Sequence, residues 1–208
     1  MQKEIDVGVR GEEGKAVAVL RSETSSPGKA AQSLLKAVAR FRPFTEQEQS
    51  SPTTPSFPAP LYDFSSPTQI AISGQSSTLT FSLSRVFPPS AVQSLVYEEV
   101  AQPLVSDVLD GFNATIFAYG QTGSGKTFTM LGPDPYDEEL RGIMPRAAVQ
   151  VFQTIESAEE QMEYTIQCSA VEIYKEKLQD LLDTSGTGLK IKESTEKGIY
   201  VEGLSSLV

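Results

Sequence analysis

The chain has 208 residues, room for one domain with a core or one domain plus a tail, and its 39% apolar and 21% charged residues fit a globular protein. Acidic side chains outnumber basic ones by 27 to 17, and a formal net charge of −10 argues against sequence-independent nucleic-acid binding, which depends on clustered Lys and Arg. No apolar stretch reaches the ~18 residues of a membrane span, no signal peptide opens the chain, and the absence of histidine removes histidine metal ligands and histidine general bases together.

Residues 1–33 mix charge, Gly and Ser with little periodicity, and they read as a flexible leader whose only apolar run is Ala16 to Leu20. Leu35, Ala37, Ala39 and Phe41 alternate with Lys36, Val38, Arg40 and Arg42, which predicts a first strand stopped by Pro43. From about 45 to 67 the chain is rich in Ser, Thr, Gln and Pro, so it reads as a disordered surface insertion. Leu79, Phe81 and Leu83 alternate with polar residues in a further strand. Behind a predicted N-cap at Ser90, residues Val92, Leu95, Val96, Val100, Leu104, Val105 and Val108 recur at helical spacing. That helix should be kinked by Pro103 and end near Gly111.

Ala114 to Tyr119 is a compact apolar run, read as a strand buried on both faces. A helix opened by Pro145 should turn Val149, Phe152 and Ile155 inward. Tyr164, Ile166, Cys168 and Ala170 make one face of another strand, where a lone thiol serves as core packing. Leu178, Leu181 and Leu182 predict a short helix, and Leu189 to Glu193 and Ile199 to Glu202 predict two β segments. This alternation points to an α/β sheet with helices on both faces.

Chemistry concentrates in Gly120-Gln121-Thr122-Gly123-Ser124-Gly125-Lys126-Thr127, which matches G-x-x-x-x-G-K-[ST]. Glycines let backbone N–H groups curl round phosphates with no Cβ in the way. Lys126 places a charge on the β- and γ-phosphates, and the Thr127 hydroxyl can ligate Mg²⁺. The helix that follows turns its positive end toward the nucleotide. A bare glycine-rich turn is the competing reading, and the strand before and helix after the loop speak against it. The guanine-reading N-K-x-D segment is missing, since Ala114 follows the single asparagine, Asn113. Asp183 with Gly186 forms a D-x-x-G, which reads as a helix end and turn rather than a γ-phosphate sensor.

The run Gly111-Phe112-Asn113-Ala114-Thr115-Ile116-Phe117-Ala118-Tyr119, followed by the loop through Met130, resembles the kinesin motor domain. Arg40-Phe41-Arg42-Pro43, Arg85-Val86-Phe87, Tyr97-Glu98-Glu99-Val100 and Gly142-Ile143-Met144-Pro145-Arg146 agree in order and spacing. So do Val171-Glu172-Ile173-Tyr174 with Glu176, Asp180-Leu181-Leu182, and Tyr200-Val201-Glu202-Gly203-Leu204. The likeness covers about Leu34 to Val208 and implies an incomplete P-loop NTPase sheet of the kinesin type with helices on both faces. It also implies ATP and Mg²⁺ as cofactors, microtubules (tubulin) as partner, and a place in the cytoplasm on the cytoskeleton.

By that resemblance Arg40, Arg42 and Pro43 line the adenine side and Phe128 presents a ring to the base. Read from the residues alone, Arg-x-Arg-Pro is equally a solvated strand end. Ser84 departs from the family, which has an aspartate there in many members, and puts one local hydrogen bond in doubt. Lys190, Lys192 and Lys197 are candidate tubulin contacts, with scattered surface lysines as the alternative. The family's switch segments, of the S-S-R-S-H and D-x-x-G-S-E kinds, have no counterpart in these residues. The resemblance therefore covers only the first part of a motor domain. Three readings follow: the start of an ATP-driven microtubule motor, a non-catalytic nucleotide- or tubulin-binding remnant, or an unrelated P-loop ATPase.

Overall fold

The computed structural model describes residues 3–7, 17–23, 35–46, 61–73, 77–158, 163–186, 188–195 and 198–208. In chain order these hold β1 (Lys3–Val7), β2 (Val17–Glu23), β3 (Lys36–Arg40), β4 (Leu61–Asp63), β5 (Gln69–Ser73), β6 (Thr78–Ser82) and β7 (Arg85–Phe87). Next come α1 (Gln93–Val96), a π-helical turn (Tyr97–Ala101), α2 (Gln102–Leu109), β8 (Asn113–Tyr119), α3 (Lys126–Met130) and α4 (Ile143–Glu156). Strands β9 (Tyr164–Cys168), β10 (Val171–Tyr174), β11 (Lys177–Asp180), β12 (Lys190–Ser194) and β13 (Gly198–Glu202) complete the order.

The chain divides into two compact units, residues 13–153 and residues 1–12 with 154–208. The larger unit holds a four-stranded sheet in the order β7-β3-β2-β8 and a three-stranded antiparallel sheet β4-β5-β6. In the first of these, β3 and β7 run parallel while β2 is antiparallel to both β3 and β8. Two of these strands fall where composition predicts little structure. The Val17-Ala18-Val19-Leu20 run forms most of β2, inside the segment read as a leader. β4 lies inside the segment read as an insertion, and there the prolines drew attention from Leu61-Tyr62-Asp63-Phe64. The rings of Tyr62 and Phe64 stand 5.2 and 5.1 Å from that of Phe41. Most of that predicted insertion, residues 47–60, lies outside the described residues.

One apolar cluster supports the larger unit. Val96, Tyr97, Val100, Ala101 and Leu104 pack with Val38 of β3, Phe87 of β7 and Ile143 of α4. Ala114 and Ile116 of β8 lean on the same cluster. Phe87 is wholly buried, a contribution of about 1.5–3 kcal/mol for a side chain of its size. The helical stretch is capped by Val92 in extended conformation rather than by Ser90. It ends as expected, with Gly111 in the left-handed region at φ 97°. Pro103 does not simply kink it. The preceding turn widens, and the N–H of Gln102 bonds five residues back to Tyr97. A wider turn relieves the clash of the Pro103 ring with the Glu99 carbonyl.

β8 differs from the expectation of a strand buried on both faces. Ala114, Ile116 and Ala118 are half-buried, whereas Thr115, Phe117 and Tyr119 on the other face are exposed. Among the described residues β8 pairs with β2 alone, so it lies at a sheet edge. A run of apolar residues cannot reveal how many neighbours a strand has. Correspondingly, the five sheets among the described residues remain separate, and no central sheet carries helices on both faces. Phe152 of α4 is exposed rather than inward, while Val149 and Ile155 are half-buried.

The smaller unit holds the parallel pair β1-β9 and the antiparallel pairs β10-β11 and β12-β13. The predicted hairpin of residues 189–202 is present in β12 and β13. The predicted helix around Leu178 is not: Leu178 lies in β11, opposite Ile173. Leucines spaced 178, 181 and 182 fit a helical face, but Lys175 and Glu176 adopt positive φ and fold the chain back into a hairpin instead. Cys168 is exposed, not core. Asp180 is buried, and its carboxylate accepts from the N–H groups of Leu182, Asp183 and Ser205 at 2.8, 3.1 and 2.6 Å.

Candidate functional site: a glycine-rich phosphate loop

β8 delivers the chain into the loop at Gly120, which is buried. The Ser124 N–H closes a turn onto the Gln121 carbonyl at 3.0 Å. Gly123 and Gly125 have φ of 79° and 100°, and a Cβ at either would meet nothing within 4 Å. Backbone conformation therefore demands glycine here, and the space above both residues is open. Gly125 caps α3, with the Thr129 N–H bonded to its carbonyl at 2.9 Å.

Lys126 bends back over the loop it follows. Its Nζ donates to the carbonyls of Gly120 at 2.6 Å and Gln121 at 3.3 Å. The Ser124 hydroxyl is buried and has no hydrogen-bond partner among the described residues. A buried polar group that folding leaves unsatisfied calls for a further partner. Open glycines, an ammonium over the loop and an unpaired hydroxyl together fit a phosphate group, and the exposed Thr127 could reach a Mg²⁺ ion beside it. Thr122 also belongs to the loop, at its turn.

Residues from the first predicted strand meet this loop. Arg42 Nε donates to the Gly123 carbonyl at 2.7 Å, and Arg42 Nη1 to the Pro43 carbonyl at 2.9 Å. Arg40 lies over the ring of Phe128, 5.1 Å from its centroid, while that ring stays 46% exposed. Burial lowers the Arg40 pKa from its ordinary value. Its guanidinium is held by Gln93 Oε1 at 2.7 Å, Thr129 Oγ1 at 3.1 Å and the Ala91 carbonyl at 3.2 Å. Gln93 escaped the reading of the sequence, although it is a polar residue on the inward stripe of Val96, Tyr97 and Val100. A small apolar cavity behind Arg40 and Thr129, of about 20 Å³, has room for one water at most.

Other sequence-level features resolve simply. Ser84 Oγ accepts from the Ala37 N–H at 3.2 Å, so the serine keeps a local hydrogen bond. Asp183 and Gly186 form a turn closed at 3.2 Å. Lys192 pairs with Glu202 at 2.6 Å, and Lys197 lies outside the described residues. No described helix is long and apolar enough to cross a membrane.

A strand, a glycine-rich loop closed over by its own lysine and a helix opening at that lysine are the elements of the P-loop NTPase fold. The chain belongs to the kinesin motor domain family, whose match covers residues 40–208. It is 43% identical over 179 residues to kinesin-related protein 3 of Dictyostelium discoideum, covering 84% of this chain and 14% of that protein. It is 41% identical over 171 residues to the kinesin heavy chain of Syncephalastrum racemosum, covering 82% of this chain and 18% of the other. A solved structure of a fast kinesin, described with implications for its ATPase mechanism and interactions with microtubules, matches with a TM-score of 0.75 and 38% identity. That match covers 82% of this chain and 47% of the solved one. The chain thus spans under a fifth of the length of these two curated relatives.

Proposed function

We propose that this chain is the ATP-binding part of a kinesin-type microtubule motor, whose intact protein performs ATP-dependent movement along microtubules in the cytoplasm. Gly120, Gln121, Thr122, Gly123, Ser124 and Gly125 wrap the phosphates with backbone and hydroxyl donors, and Lys126 leaves its carbonyl partners for the β- and γ-phosphates. Thr127 would hold Mg²⁺, which would supply neutralising charge at the phosphates. Phe128, Arg40, Arg42 and Pro43 form the base side. The observation that carries this reading is the Lys126 ammonium poised over the loop at 2.6 Å from the Gly120 carbonyl. Competition binding tests it: ATP with Mg²⁺ should displace a fluorescent nucleotide at far lower concentration than GTP, and a clear preference for GTP would sink it.

A second reading, a non-catalytic nucleotide- or tubulin-binding chain, is favoured by the exposed Phe117 and Tyr119 face of edge strand β8. Phosphoryl transfer depends on positioning and charge stabilisation, and a phosphate cradle alone supplies half of that. We therefore propose that the chain by itself binds nucleotide without motor-like turnover. Microtubule-stimulated phosphate release from the 208-residue chain would overturn this.

A further inference from the structure

One buried amide links the two side chains at the base end of the site. Gln93 is 5% exposed, and its amide makes three hydrogen bonds. Its oxygen accepts from Arg40 Nη1 at 2.7 Å, while its nitrogen donates to the carbonyls of Phe128 at 2.7 Å and Leu140 at 3.1 Å. This pattern fixes which end of the amide is which, because a guanidinium requires an acceptor and two carbonyls require a donor. Thr129, also buried, supplies a second acceptor to the same Arg40 nitrogen at 3.1 Å. The guanidinium so held stands 5.1 Å from the centroid of the Phe128 ring.

Every Arg40 nitrogen bond named above points into protein, toward Gln93, Thr129 and Ala91. The arginine therefore backs the ring rather than reaching outward past it. Gln93 ties down the main chain of Phe128 and the cation behind its ring at once. Pre-organising an aromatic face in this way lowers the ordering cost of binding a flat ligand.

Resting on the nucleotide reading above, we propose that Gln93 is a positioning residue for the base of the nucleotide: with Thr129 it clamps Arg40 behind Phe128, so that the ring offers its free face to a purine. It acts on the base and not on the phosphates, since the phosphate-loop contacts described above do not pass through its amide.

The test compares ATP with inorganic tripolyphosphate, each with Mg²⁺, by calorimetric titration of the 208-residue chain and its variants. Gln93→Met keeps the volume and removes all three bonds. It should weaken ATP about tenfold and leave tripolyphosphate within about twofold, since hydrogen bonds to a charged group are among the stronger ones. Thr129→Val, a milder change, should weaken ATP about threefold with tripolyphosphate again unchanged, and it decides the matter in the same terms if Gln93→Met does not fold. ATP binding that is unaffected overturns the proposal. A parallel loss of both ligands also overturns it, because it marks a purely structural role. If the unsubstituted chain binds neither ligand, the nucleotide reading itself falls and this inference falls with it.

Discussion

Arg42 Nε donates to the carbonyl of Gly123 at 2.7 Å across 81 residues of sequence, joining the chain just after β3 to the turn of the phosphate loop. The contact is solvent-exposed, so its worth to the fold is small and its worth to the loop is larger. Arg42→Ala should shift unfolding free energy by no more than about 0.5 kcal/mol. The same variant should bind ATP roughly threefold to tenfold more weakly, because a looser loop must be ordered on binding. Urea unfolding and nucleotide titration of one preparation give both numbers.

Lys126 carries a heavier role. Lys126→Ala removes the charge aimed at the phosphates and the bonds to Gly120 and Gln121 together. A charge-assisted phosphate contact in a partly closed loop justifies an expected loss of about 100-fold in ATP affinity. Amide exchange across residues 120–125 should rise as well, since the loop loses its internal strap. Affinity within threefold of the original would mean that the lysine does not serve the phosphates.

Two glycines away from the site separate strain from crowding. A Cβ on Gly132, at φ 91°, would lie 2.2 Å from the Leu140 carbonyl oxygen and 2.7 Å from the Gly142 nitrogen. Gly111 has φ 97° but nothing within 4 Å. Gly111→Ala should cost about 1–2 kcal/mol from backbone conformation alone. Gly132→Ala adds a main-chain collision and should cost about 2 kcal/mol more. Denaturant midpoints at constant slope would rank the two, and equal costs would contradict the geometry.

Asp180 sets an acid limit on the smaller unit. The bond from the Ser205 N–H, aided by those of Leu182 and Asp183, holds its pKa down at about 2. An unfolded aspartate titrates near ~3.9. The stabilisation is therefore complete above that value and is lost as pH falls through the folded value of about 2. Asp180→Asn cannot accept equally from both sides, so it should melt several degrees lower at neutral pH. Its melting temperature should also fall less steeply than the parent's between pH 4 and pH 2. Parallel acid limbs would show that the carboxylate is not responsible.

What could be read from the residues follows the range of the physics involved. The phosphate loop and the β12-β13 hairpin depend on neighbours within a few residues, and their glycine placement and alternation are plain in the sequence. The helix end at Gly111 is equally local. Burial of β8 is not local: Ala114 to Tyr119 reads the same whether a strand has one partner or two. The turn at Lys175 and Glu176 was hidden because neither residue type favours positive φ, and leucine spacing then suggested a helix. Arg40 and Phe128 stand out by family likeness. The Gln93 amide that unites them emerges only when residues 53 and 35 apart in sequence meet in space.

The widened turn at Tyr97–Ala101 bears on which lengths of chain this helical stretch tolerates. Val96, Val100 and Leu104 recur every fourth residue, and in a regular α-helix each such step drifts about 40° round the axis. A turn holding more than four residues takes up that drift, so all three side chains stay over Val38 and Phe87. The stretch therefore counts its residues in unequal turns. Deleting exposed Glu98 would remove no core atom and would leave Leu104 and Val105 facing the sheet, yet it would restore regular winding and press the Pro103 ring against the Glu99 carbonyl. Length at this point is as constrained as composition, and a melting curve of the Glu98 deletion would register the misfit.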